Sequence, residues 1–328
     1  MKIKNEMIQP IISTTLIAFV FLFGGCDISS KDSTNVQLRE EPEGIHAAFY
    51  NSDGSKISMS TTRGRLILAD SNLNIVVKSK GHKGHANSSF FSLDDKYIIT
   101  GGEDRSLNVW NAATLESDRK YQFSFNSWTS IHGYYTLGGC GEKGQVIFYN
   151  KRSHDTIRFL LEPEGAFHLY YLLPDTSFVV SSGYSGYEIN LQKKKIVHCY
   201  KGHSNWVYCI MPDNAQRRIV TASKDSTVKI FDRFTQSCLY TSPNLRGPVY
   251  VSCFNNKDNV IAASTGNGEI YFMDTTLATI KMKIKAFETR INTIHYSPDG
   301  TRMVVGSEGG GAKIFSVKDG SLLYELKY

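Results

Sequence analysis

The sequence predicts an all-β chain folded as a seven-bladed β-propeller, each blade a four-stranded antiparallel sheet. Three observations carry this. One short pattern recurs seven times at an almost constant interval. Each copy holds four strand-like runs separated by turn residues. Helical periodicity is nearly absent between them.

The pattern is clearest in TASKDSTVKIFD (221–232), which reads as strand, polar turn and alternating strand. TGGEDRSLNVWN (100–111) matches it position for position: Thr100 for Thr221, Asp104 for Asp225, Val109 for Ile230 and Trp110 for Phe231. The positions equivalent to Trp110 and Phe231 in the other copies are Ala69, Tyr149, Asn190, Met273 and Phe315. The successive intervals are 41, 39, 41, 41, 42 and 42 residues. Each copy opens with a strand such as IHAAFY (45–50) or INTIHY (291–296), followed by a turn such as NSDGS or SPDGT. A lone sheet of this size cannot bury both faces. Seven packed around an axis can, which is the propeller's solution.

In chain order, the first element is a processing segment. Lys2 and Lys4 precede an apolar stretch from Ile11 to Phe23, too short for a comfortable membrane span of about twenty residues. It ends in LFGGC, which resembles the bacterial lipoprotein cleavage box, although Phe23 stands where that pattern prefers Leu. The resemblance implies a signal peptide over 1–25 and Cys26 as the new first residue, carrying acyl chains such as palmitate. Several chains on one residue anchor firmly where one alone binds only marginally. Asp27 resembles an inner-membrane retention signal, and the choice of membrane stays open. Residues 26–42 then form the lipidated Cys and a polar tether, and 43–328 the propeller. Within the tether, NVQLRE (35–40) competes with the C-terminal SLLYELKY (321–328) for the outer place in the last blade, or adds outside it. The C-terminal segment is the expected occupant, with the two mature ends close together.

Gly-His occurs at 81–82 and 202–203. His82 to Asp104 and His203 to Asp225 both span 22 residues, and His82 to Trp110 and His203 to Phe231 both span 28. These spacings resemble the WD40 repeat. The resemblance implies a buried hydrogen-bond chain within a blade: His82, Thr100, Asp104 and Trp110 in the second, and His203, Thr221 and Asp225 in the fifth. Phe231 lacks the indole N–H that would end the fifth chain. The other five blades lack Gly-His, so the signature is specific in two blades and degenerate elsewhere.

His, Asp and Thr together suggest a catalytic triad, but their recurrence at the blade period favours a structural network. GYSGY (183–187) departs from the GxSxG elbow and sits between strands. GGG (309–311) has no following helix, as a phosphate loop would. The chain is therefore read as not an enzyme, without cofactor or metal. Cys140, Cys199, Cys209, Cys238 and Cys253 form no CxxC pair, and their odd number leaves at least one thiol unpaired in a monomer. The net charge of +6 is spread out, with its densest run at Lys193-Lys194-Lys195, which argues against a nucleic-acid surface.

WD40 propellers bind proteins or peptides on their end faces. Counting from the Gly-His blades, the resemblance implies a partner-binding face of Trp206, Tyr208, Lys224, His85, Glu103, Arg290, Asn292 and His46. Trp206 could instead pack between blades. The expected function is a monomeric, membrane-tethered scaffold in the bacterial cell envelope, facing the periplasm or exterior and binding a protein or peptide. The alternatives are an envelope-assembly lipoprotein, or a propeller enzyme or cofactor-binding propeller.

Overall fold

The structure, a computed structural model, describes residues 43–326 apart from 124–126, 133–135, 151–152, 162–164, 173–175, 256 and 258. The expected signal peptide (1–25), Cys26, the tether (26–42) and the candidate strand at 35–40 lie outside the described residues. Twenty-eight strands among the described residues form seven four-stranded sheets, each a simple meander of sequential antiparallel neighbours. The blades span residues 45–80, 86–122, 127–160, 166–200, 207–241, 249–285 and 291–325. Each innermost strand packs beside those of both neighbouring blades, and the first touches the last, so the ring is closed.

Burial follows the position of a strand within its blade. The second strands are almost wholly buried, as in Val260–Thr265, because each lies between two neighbouring sheets. The outermost strands alternate exposed and half-buried residues, as in Thr279–Lys285. These free edges carry Lys281 and Lys283, held by Asp274 at 2.9 Å and Glu269 at 2.7 Å. Lysine on an edge strand discourages pairing with another chain.

Ring closure uses side chains. The Thr293 hydroxyl accepts from the Ala48 amide at 3.2 Å, and the Asn292 amide donates to the Ile45 carbonyl at 3.1 Å. The last blade is completed by its own C-terminal strand, Leu322–Glu325. Glu43 and Leu326, the two ends of the described chain, bond the adjacent Gly311 and Ala312 through their backbones. The seam between the fourth and fifth blades adds a buried ion pair. Glu188 accepts two bonds from the Arg233 guanidinium, at 2.7 and 2.9 Å, and further bonds from His198 and the Tyr200 hydroxyl. A bidentate geometry with the remaining acceptor sites filled is what makes a buried charge tolerable.

Candidate functional site: the mouth of the central channel

The site begins with an irregularity shared by all seven inner strands. Each slips its register by one residue near its start, leaving one residue without a partner on the second strand. The skipped residue of the third blade is Trp128; those of the other six blades are His46, Asn87, Phe167, Tyr208, Tyr250 and Asn292. A bulge bends its strand and re-aims the extra side chain. All six line one cavity of about 470 Å³ at the end of the channel axis. Below them the lining turns apolar. Phe49 lies 4.2 Å from Phe90 and 4.7 Å from His295, ring centre to ring centre, and Met211 joins them in the wall.

The mouth has two chemically distinct sides. Phe167, Tyr208 and Tyr250, from the fourth to sixth blades, make an aromatic wall. Tyr208 and Tyr250 stack in parallel at 5.0 Å, with Phe167 edge-on to Tyr208 at 5.4 Å. The Arg290 guanidinium covers Tyr250 at 4.9 Å and donates to Asn292 and Glu308, both at 2.9 Å. Across from them, His46 and His85 face each other at 5.0 Å, and the His85 amide donates to Glu103 at 3.1 Å. Burial pushes the His46 imidazole down to about 4, and neighbouring His85 and Arg290 add to the effect. His46 is therefore neutral at physiological pH, while Arg290, Glu103 and Glu308 carry the charge.

Of the residues expected on the binding face, the structure brings together His46, His85, Glu103, Tyr208, Arg290 and Asn292. Trp206 and Lys224 stand outside the mouth. Trp206 precedes its bulge and packs edge-on against Phe167 and Tyr184, at 5.4 and 6.0 Å. Lys224 is exposed, and its amide donates to the Trp206 carbonyl. Phe167, Tyr250 and Glu308 were not singled out in the sequence. The first two occupy the register of Tyr208 in blades without Gly-His, and Glu308 occupies that of Glu103.

The two His-centred sets form closed networks away from the mouth. His82 Nδ1 lies 2.8 Å from Asp104 and Nε2 lies 2.7 Å from the Thr100 hydroxyl, which also accepts from the Trp110 indole at 2.9 Å. His203 repeats this with Asp225 and Thr221, both at 2.8 Å. A carboxylate can only accept, so the His82 proton sits on Nδ1 and Nε2 accepts from Thr100. Burial would raise the Asp104 carboxyl, but bonds from His82 and Ser106 outweigh it and hold the group well below the carboxylate range. Thr100 and Thr221 are fully buried, so neither hydroxyl is open to a substrate. Among the described residues, no group of three or more His, Cys, Asp or Glu is placed to hold a metal ion. Cys140, Cys209 and Cys253 are buried, and burial pushes the Cys209 thiol up to about 12. Cys199 and Cys238 are free thiols.

Comparisons with known proteins agree with this geometry. The WD40 family, described as WD domain, G-beta repeat, matches residues 74–111, 194–232 and 279–316. Among similar proteins, Periodic tryptophan protein 2 of Arabidopsis thaliana is 22% identical over 240 residues, covering 70% of this chain and 27% of the relative. Striatin-4 of Homo sapiens is 20% identical over 256 residues, covering 75% and 32%. Eukaryotic translation initiation factor 3 subunit I of Drosophila pseudoobscura pseudoobscura is 27% identical over 133 residues, covering 37% and 40%. The chain thus spans less than half the length of these curated relatives. The first two matched segments end on the blades that carry the His networks. The third ends on the seventh blade, where the Thr289 and Ser307 hydroxyls meet at 2.7 Å. The chain is a seven-bladed propeller in which three segments match the WD40 repeat.

Proposed function

We propose that the chain is a non-catalytic scaffold that holds a protein or peptide segment in the mouth of its central channel. The convergence of six bulge residues on one cavity carries this reading. An aromatic wall facing a polar, charged wall suits a segment with an apolar side chain on one side and polar groups on the other. One relative is by name a subunit of a larger factor, which fits a binding role. The LFGGC sequence supports a lipid on Cys26, and with it attachment to a membrane of the bacterial cell envelope. On that reading the propeller is monomeric, faces the periplasm or exterior, and carries neither cofactor nor nucleic acid.

Cross-linking in the native membrane, followed by affinity purification, tests the binding role. Tyr208→Ala and Glu103→Ala are expected to lower recovery of the cross-linked partner at least tenfold while the chain stays folded. Full recovery from both variants would move the site off the mouth. Fractionation tests the anchor: Cys26→Ser should shift the chain from the membrane pellet to the soluble fraction, and retention in the pellet would remove Cys26 as the anchor.

A further inference from the structure

The blades differ in how well they fill the seam with the blade before them. In the second blade Thr100 and Trp110 fill it together with His82. In the fifth, Thr221 and Phe231 do so with His203. The third blade departs from this. Its counterpart of Thr100 is Gly139, where the remaining blades have Met59, Val180, Ala263 and Val305. Gly139 pairs with Ile147, and Leu137 with Tyr149, so these four positions share the sheet face turned toward the second blade. The buried cluster at this seam shrinks to Ile99, Leu107, Val109 and Leu137.

A cleft of about 350 Å³ opens there. Its base is apolar: Leu107, Leu137 and Ile147 are 0%, 2% and 7% exposed. Tyr121 and Tyr149 flank it with ring centres 5.2 Å apart. Arg158 stands exposed at the opening, with no ion pair among the described residues. Arg119, two residues before Tyr121 on the same outer strand and exposed, brings a second guanidinium nearby. Its own carboxylate neighbour, Asp118, is 3.6 Å away and exposed.

We propose that this seam binds a small amphipathic carboxylate, an acid with an aliphatic or aromatic body and one anionic end. The body lies on the apolar base formed by Leu107, Leu137 and Ile147, removing apolar surface from water on both partners. The carboxylate meets the Arg158 fork, whose planar donors match its two oxygens. An apolar pocket with a few placed polar groups is the usual form of a small-ligand site.

Calorimetric titration of the full chain with decanoate, below its micelle concentration and near neutral pH, tests this. Saturable binding at one site is expected. Thr156→Trp, on an exposed residue that lines the cleft, fills part of it and should reduce decanoate affinity more than tenfold in a folded chain. Arg158→Glu, on an exposed residue, should weaken decanoate by a similar factor while leaving decan-1-ol affinity within twofold. Absence of saturable binding to the native chain, or native affinity for decanoate in either variant, would overturn the assignment.

Discussion

His82→Ala is expected to destabilise the chain by about 3 kcal/mol, among the largest effects of any single substitution. His82 is 3% exposed and Thr100 is fully buried. Removing the imidazole leaves the Asp104 carboxylate and the Thr100 hydroxyl without their shared partner in a place that water reaches poorly. A buried polar group stripped of its partner loses roughly 1–3 kcal/mol, and the empty ring volume adds to that. Trp110→Phe should cost less, about 2 kcal/mol, because it removes the indole donor to Thr100 and part of the ring that packs on Gly81 but leaves the His–Asp–Thr chain in place. The fifth blade already folds with Phe231 in that place, fully buried. Denaturant unfolding of the two variants side by side checks the ordering. Equal losses would show that the network's worth lies in indole packing, not in the His–Asp–Thr chain.

Acidification is expected to destabilise the propeller well before its carboxylates titrate. His46, His168 and His295 all sit at or near the channel, and burial is the main cause pushing each imidazole down to about 4. In the unfolded chain they titrate near 6.5, so between 6.5 and 4 the unfolded state binds more protons than the folded one. Stability is therefore complete above about pH 6.5 and declines as the pH falls toward 4. At pH 5 each group contributes a loss on the order of 2 kcal/mol. The melting midpoint should fall by roughly 10 °C between pH 7.5 and pH 5.0. Replacing His168 and His295 together with glutamine should remove at least half of that fall. The same fall in the double variant would assign the acid sensitivity to other groups.

Much of the fold could be read from the sequence because the repeat is an energetic necessity. A blade cannot bury its faces alone, so each copy keeps its strand and turn pattern even where Gly-His is lost. The network residues were equally visible, since His82 and His203 must lie a fixed number of positions before Asp104 and Asp225 to meet them. The mouth was only partly legible. Counting from His203 reached Tyr208, and the same register yields His46 and Asn292. Tyr250 and Phe167 occupy that register in the sixth and fourth blades, where, as in the first and seventh, only the strand-and-turn spacing marks it. Spacing alone left open whether Trp206 faces a partner or packs between blades. Which residue turns inward depends on where the bulge falls, and Trp206 comes just before it, packed against Phe167 and Tyr184. The cleft between the second and third blades escaped notice for a related reason: its residues come from strands of two blades and form no motif.

The central claim is that recognition takes place at the mouth lined by the bulge residues. The most direct measurement is cross-linking in intact cells from a photoreactive residue placed at Tyr208, compared with one placed at Phe234 on a loop between the outer strands of the fifth blade. A single discrete adduct from position 208 and none from position 234 is the predicted result. The same adduct from position 234, with none from 208, would contradict the claim.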